Sequence, residues 1–318
     1  MRSYLLPLFP LLLAAWSTEI DLAPAGSQAV PLYEQSPERT DLDRLSYLGG
    51  VVLSNPDDRF GGFSALAVSA DGSRILAVSD SAYWMTATIG WSEDDGTLLV
   101  SEFAMASMLS RTGNQLDGTA ADSEAIADLG DGVFAISFER EHRINTYAIG
   151  EDWSQLDSAG EALLSPPGAD EFTNNGGMEG LTALPGGRLL AGIEDGGSGA
   201  YPLWLREAGS WSLSELAAQP EYGLTSLDYH DGQVYVLERF WRSDIGTHIR
   251  ILRFAVDALG SGERIEPELL GTLEAGKTVD TFEGISVTER DDRTVLLIMS
   301  DDNYNEAQRT LLLAFQLD

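Results

Sequence analysis

"SALAVSADGSRILAVSD", residues 64–80, reads as two apolar strands joined by a tight polar turn at Asp71-Gly72. Asp-Gly is a pair favoured where a hairpin needs positive φ. The pattern returns four times: "EAIADLGDGVFAISFE" (124–139), "EGLTALPGGRLLAGIE" (179–194), "TSLDYHDGQVYVLE" (225–238) and "EGISVTERDDRTVLLIMSD" (283–301). Their turns hold Asp131-Gly132, Gly186-Gly187, Asp231-Gly232 and Asp291-Asp292. Further strand-like runs follow, such as "RINTYAIG" from Arg143 and "HIRILRFAV" from His248, while helical periodicity is weak. The hairpins start at 64, 124, 179, 225 and 283, which is 46 to 60 residues apart. One four-stranded propeller blade needs about 40 to 50 residues. The reading is therefore an all-β chain forming a single β-propeller of five blades, with the longer spacings leaving room for a sixth. Closure into a ring also removes the exposed sheet edges that five separate hairpins would present.

The two ends of the chain fit that closure. "SYLGGVVLSNPDDRFGGFSA" from Ser46 resembles "ELLGTLEAGKTVDTFEGIS" from Glu268, which immediately precedes the last hairpin. Residues 46–54 are thus expected to be the outermost strand of a blade begun by the last hairpin and "RTLLLAFQLD".

In a hairpin the first residue of one strand lies beside the last residue of the other. Ser64 and Asp80, Glu124 and Glu139, Glu179 and Glu194, Thr225 and Glu238, and Glu283 and Asp301 each bracket their own turn. All of them should gather on the rim opposite the turns, joined there by Asp195 and Asp302. Arg140 and Arg239 follow rim acids directly, with His142, Arg143, Arg242 and Arg309 close behind. Crowded carboxylates need relief, either from a divalent cation or from Arg. The candidate metal ligands are Glu124, Glu179, Glu283, Asp80 and Asp301, with calcium the expected ion. The candidate catalytic and anion-holding residues are Arg140, Arg239, His142 and Arg309. The alternative reading of the pairs Glu139-Arg140 and Glu238-Arg239 is as salt-bridge latches between blades.

The net charge is −32, from 51 acidic and 19 basic residues, and Lys277 is the only Lys. Such a chain is repelled by nucleic acid and by anionic lipid. It has no Cys. His142, His230 and His248 show no zinc-ligand spacing. No G-x-S-x-G elbow, Walker loop or dinucleotide fingerprint occurs. Met1-Arg2, the apolar run 5–16 and the small residues around it read as a secretory signal over residues 1–17, too short to span a bilayer. Residues 18–45 would be a lead-in and 46–318 the propeller. The protein is then expected in the periplasm or secreted, as a monomer without stable membrane insertion.

"GGFSALAVSADGSRILAVSDSAYW", "DSEAIADL" with "FEREHRI", "NNGGMEGLTALPGGRLLAGIED", "VLERFW" and "TFEGISV" with "SDDNYNEAQRTLLLAFQL" resemble the bacterial family called esterase-like activity of phytase. The likeness runs from about Ser46 to the end. It implies an exported, hydrolase-like propeller, akin to calcium-dependent propeller phytases. Three functions follow from the whole reading. The first is a calcium-assisted hydrolase of small anionic carboxylate esters or phosphoesters. The others are a non-catalytic periplasmic binding propeller and a metal-dependent lactonase.

Overall fold

A computed structural model describes residues 25–93, 96–197 and 199–318. The apolar run 5–16 and its expected processing site lie outside the described residues.

Three strands lead: β1 (Gly26–Ala29), β2 (Asp41–Leu42) and β3 (Leu45–Ser54). Blade 1 is β4 (Phe63–Val68), β5 (Arg74–Ser79), β6 (Tyr83–Trp91) and β7 (Leu98–Ser107). Blade 2 is β8 (Ser123–Gly130), β9 (Val133–Phe138), β10 (Arg143–Ala148) and β11 (Glu161–Leu163). Blade 3 is β12 (Gly180–Leu184), β13 (Arg188–Gly192), β14 (Ala200–Glu207) and β15 (Ser210–Ala217). Blade 4 is β16 (Gly223–His230), β17 (Gln233–Arg242), β18 (Gly246–Ala255) and β19 (Glu268–Leu273). Blade 5 begins with β20 (Thr281–Arg290), β21 (Arg293–Asp301) and β22 (Leu311–Leu317). Each blade is an antiparallel meander, and β4, β8, β12, β16 and β20 neighbour one another around the axis. The fold is a five-bladed β-propeller.

The ring closes through β3, which pairs antiparallel with β22 from Leu311↔Val52 to Leu317↔Leu45. The N-terminal strand is therefore part of the blade begun by the last hairpin, as read from the sequence. It is not the outermost strand: β1 pairs with its far side over Gly26↔Ser54 to Ala29↔Val51, and β2 folds back on its start. No sequence likeness to another repeat marks β1, so the extra edge strand was not legible.

Every blade is buried on both faces. Successive side chains on a strand point to opposite faces, so each strand feeds two seams. On β21, Leu296 and Ile298 pack toward blade 4 with Leu237, Ile251 and Ile285. Val295, Leu297 and Met299 pack toward blade 1 with Phe63, Leu66 and Met85. Trp84, Phe134 and Ile136 fill the seam of blades 1 and 2, Ile144 and Leu181 that of blades 2 and 3, and Leu203 and Leu227 that of blades 3 and 4. This two-sided burial explains why the inner strands read as nearly continuous apolar runs. Among the described residues, no helix is long and apolar enough to cross a membrane.

The closing strand generates a direct test. Leu45, Val51 and Leu53 are buried, and removing them strips β22 of its partner. Deleting residues through Ser54 is expected to expose that edge and give aggregated protein by size-exclusion chromatography. A truncated monomer that melts like the full chain would show that β3 does not hold the ring.

Candidate metal centre and its rim

The hairpin ends meet at one end of the axis, and local backbone irregularities aim them there. In blades 1, 2, 4 and 5 the ladder register slips by one residue, at Ser64, Glu124, Thr225 and Glu283. A β-bulge leaves its extra residue unpaired and re-aims its side chain. In blade 3 the equivalent Glu179 immediately precedes β12. Five equivalent positions thus carry three carboxylates and two hydroxyls. Thr225 Oγ1 lies 3.4 Å from two backbone carbonyls, while the buried Ser64 Oγ has no partner among the described residues.

The tightest cluster is Asp122, Glu124 and Glu139, whose ligand oxygens all lie within 4.8 Å of one another. The sequence reading placed Glu124 here but missed Asp122, which the spacing D-x-E in "DSEAI" would have offered. Glu139 had been placed on the rim but not among the ligands. Its Oε1 accepts bonds from Gly176 N at 2.7 Å and Gly177 N at 2.6 Å, tying blade 2 to the start of blade 3. Gly177 is required by this closeness: a Cβ there would lie 2.7 Å from His142 Nδ1 and 3.2 Å from Glu139 Oε1.

Glu124 and Glu179 are only 8% and 9% exposed. Burial pushes both well above the usual carboxylate range, and neighbouring acids add to it: Glu283, Glu139, Asp122 and Asp80 around Glu124, and Glu124, Glu194, Glu139 and Glu283 around Glu179. Burial raises Glu283 to about 7, against the opposing pull of Arg239. Burial and Glu283 raise Asp301 to about 8, and burial raises Asp80 to about 6 despite a bond from Ser81. The five expected ligands therefore form one interacting acidic field. The close three-carboxylate site within it is Asp122–Glu124–Glu139.

The arginines divide. Arg140, at φ +52°, places Nε 2.6 Å from Asp122, inside its own blade rather than across a seam. Arg239 lies 3.4 Å from Glu283 and 4.0 Å from Glu194, so it spans blades 3 to 5, and its Nε is buried without a partner among the described residues. Arg309 sits 3.5 Å from Asp280. His142 Nε2 donates to Thr173 O at 2.9 Å. A carbonyl only accepts, so Nε2 carries a proton, while Nδ1 is buried with no partner among the described residues.

Two residues expected on the rim are used otherwise. Glu238 is fully buried and pairs with Arg250 at 2.7 Å, because strand alternation turns it into a seam. Asp195 is exposed and accepts from Gly197 N at 2.7 Å, closing a local turn. The motif "SDDNYN" also finds a structural role. Asp302 accepts from Gly62 N at 2.9 Å and Thr310 Oγ1 at 2.8 Å, clipping blade 5 to blade 1. Gly62, at φ +61°, leaves room for Tyr304, whose ring would stand 2.5 Å from a Cβ there.

The chain is similar to solved propeller-like structures at low identity. A chain of a nidogen/laminin complex shares 13% identity at a TM-score of 0.44, over 90% of this chain and 95% of that one. The Cps50 (Swd1) β-propeller domain of Myceliophteria thermophila shares 12% identity at a TM-score of 0.43, over 91% of this chain and 99% of that one. No curated protein matches the sequence. The model of the phytase-like family described as esterase-like activity of phytase matches residues 58–304, and the chain belongs to that family.

Proposed function

We propose that this propeller is an exported hydrolase of small anionic esters or phosphoesters that works with a calcium-type ion. The observation that carries the reading is the Asp122–Glu124–Glu139 cluster, flanked by Arg140, with Arg239 on the same rim. The donor set fits such an ion. Three buried carboxylates in mutual reach are hard oxygen ligands, and calcium takes six to eight oxygens in loose geometry. The cluster contains no His or Cys, the ligands that favour zinc.

When bound, the ion supplies a Lewis acid that polarises the ester group. The chain's own residues do the rest. Arg239, whose side chain is partly exposed beside Glu283, holds the anionic group. Glu283, beside that guanidinium, accepts a proton from the attacking water and returns one to the leaving oxygen. A carboxylate near 7 suits both halves of that transfer. With p-nitrophenyl acetate and p-nitrophenyl phosphate as probes, activity is expected to rise as pH passes through about 7. Glu283→Gln should abolish that limb. A rise unchanged in the variant would remove Glu283 from the reaction.

Stability should report the ion independently. Asp80, Glu283 and Asp301 have folded values of about 6, 7 and 8, all above their ordinary range. The folded state then binds more protons than the unfolded one between about pH 4 and 8, so stability falls as pH rises through that window. In chelator the melting temperature is expected to drop from pH 4 to 8. Calcium should reverse the drop, by about 2.7 kcal/mol at a hundredfold excess over Kd. Glu124→Gln should melt no lower than wild type in chelator and lose the calcium response. Melting curves indifferent to calcium, magnesium and chelator would favour a binding propeller instead.

Export rests on the apolar run 5–16. N-terminal sequencing of protein recovered outside the cytoplasm is expected to find a start between Trp16 and Ile20, whereas a retained Met1 would remove the signal.

A further inference from the structure

Beside the acidic centre, blades 4 and 5 part to form a cleft of about 570 Å³. Its walls are of two kinds. Arg239 and Trp241 are two residues apart on β17, so both face the cleft, while Phe240 between them turns away to pack against Tyr222 and His248. Trp241 is 63% exposed, which is unusual for so large an apolar side chain. Opposite stand Asp280, Thr281, Asn303, Asn305 and Gln308. That wall is ordered in advance: Gln308 Nε2 donates to Thr281 Oγ1 at 2.8 Å and Asn305 Nδ2 to Gln308 Oε1 at 3.4 Å.

Amides and hydroxyls both donate and accept, and so do the hydroxyls of a sugar-like ring. A flat indole offers such a ring an apolar face. The charge balance limits what else it carries. Among the described residues Arg239 is the one cation lining the cleft; Asp280, paired with Arg309 behind it, and Glu283 line it too. Arg239 is already engaged by Glu283 at 3.4 Å. A ring bearing one anionic ester fits; a ring bearing many phosphates meets repulsion, reinforced by the net charge of −32.

We propose that the blade 4–5 cleft binds the hydroxyl-rich ring of an ester that bears a single anionic group, stacked on Trp241, with that group at Arg239. Hydrolysis of that ester rests on the function proposed above; binding of the ring does not.

The test separates the two. Full-length protein, stripped with chelator, is titrated with the 6-phosphates of glucose, mannose and galactose and with inositol hexakisphosphate. Binding is followed by tryptophan fluorescence and calorimetry. At least one hexose phosphate is expected to bind in the millimolar range or tighter, and more tightly than the hexakisphosphate. Trp241→Ala should weaken that binding by about tenfold or more, and Trp241→Phe should largely keep it. Three results each overturn the proposal: no hexose phosphate binds, Trp241→Ala binds like wild type, or the hexakisphosphate binds best. If ring binding depends on Trp241 but calcium-loaded protein releases no phosphate, the cleft stands and the phosphoester hydrolase reading falls. Phosphate release with Trp241→Ala unimpaired in binding and turnover leaves the hydrolase and removes the cleft.

Discussion

Carboxylates converge at one end of the propeller axis and cannot move apart. Asp122, Glu124 and Glu139 hold oxygens within 4.8 Å of one another. The strands that carry them are locked by apolar seams on both faces. Repulsion of this kind is relieved in exposed loops by rotation into water. Here Glu124 is buried and Glu139 is bonded to two backbone amides, so neither can swing out. The remaining remedies are protonation, an arginine or a cation. Arg140 serves Asp122, and Arg239 serves Glu283. Among the described residues neither Glu124 nor Glu179 pairs with an arginine, and burial pushes both well above the usual carboxylate range.

Much of this was legible because a hairpin has arithmetic. Each repeat brackets its own turn, so the ends must gather on one rim, and the closing strand announced itself by resembling the segment before the last hairpin. What the arithmetic could not show was the bulge. Regular alternation would pair Glu124 and Glu283 into the ladder, whereas the slip at each frees them toward the axis. Nor does alternation from the turn reveal where a long strand leaves the rim. Glu238 was grouped with the rim acids, yet it faces Arg250 inside a seam. Asp122 was missed because it precedes β8 and has no counterpart in the other repeats. The family resemblance supplied the reaction class, which the repeat pattern alone did not.

The opposite end of the axis shows that acid alone does not make a site. Inner-strand residues Leu66, Ile126, Leu227 and Ile285 line the central channel beyond the bulges. Asp228 lies past them and is raised to about 6 by burial. It accepts from Val287 N at 2.6 Å, Tyr229 N at 2.8 Å and Thr182 Oγ1 at 3.3 Å. Those bonds join blades 3, 4 and 5. Ser226 Oγ likewise accepts from Ile285 N at 3.2 Å, and Ser286 Oγ from Val68 N at 3.1 Å. The turn end therefore spends its polar groups on stitching neighbouring inner strands together. At the hairpin-end rim, Ser64 Oγ, His142 Nδ1 and Arg239 Nε are buried without partners. A buried polar atom left unpaired costs about 1–3 kcal/mol. Among the described residues, three such atoms stand on the same rim as the carboxylates held in mutual contact, whereas the Asp228 carboxylate on the inner strands at the turn end is engaged by three donors.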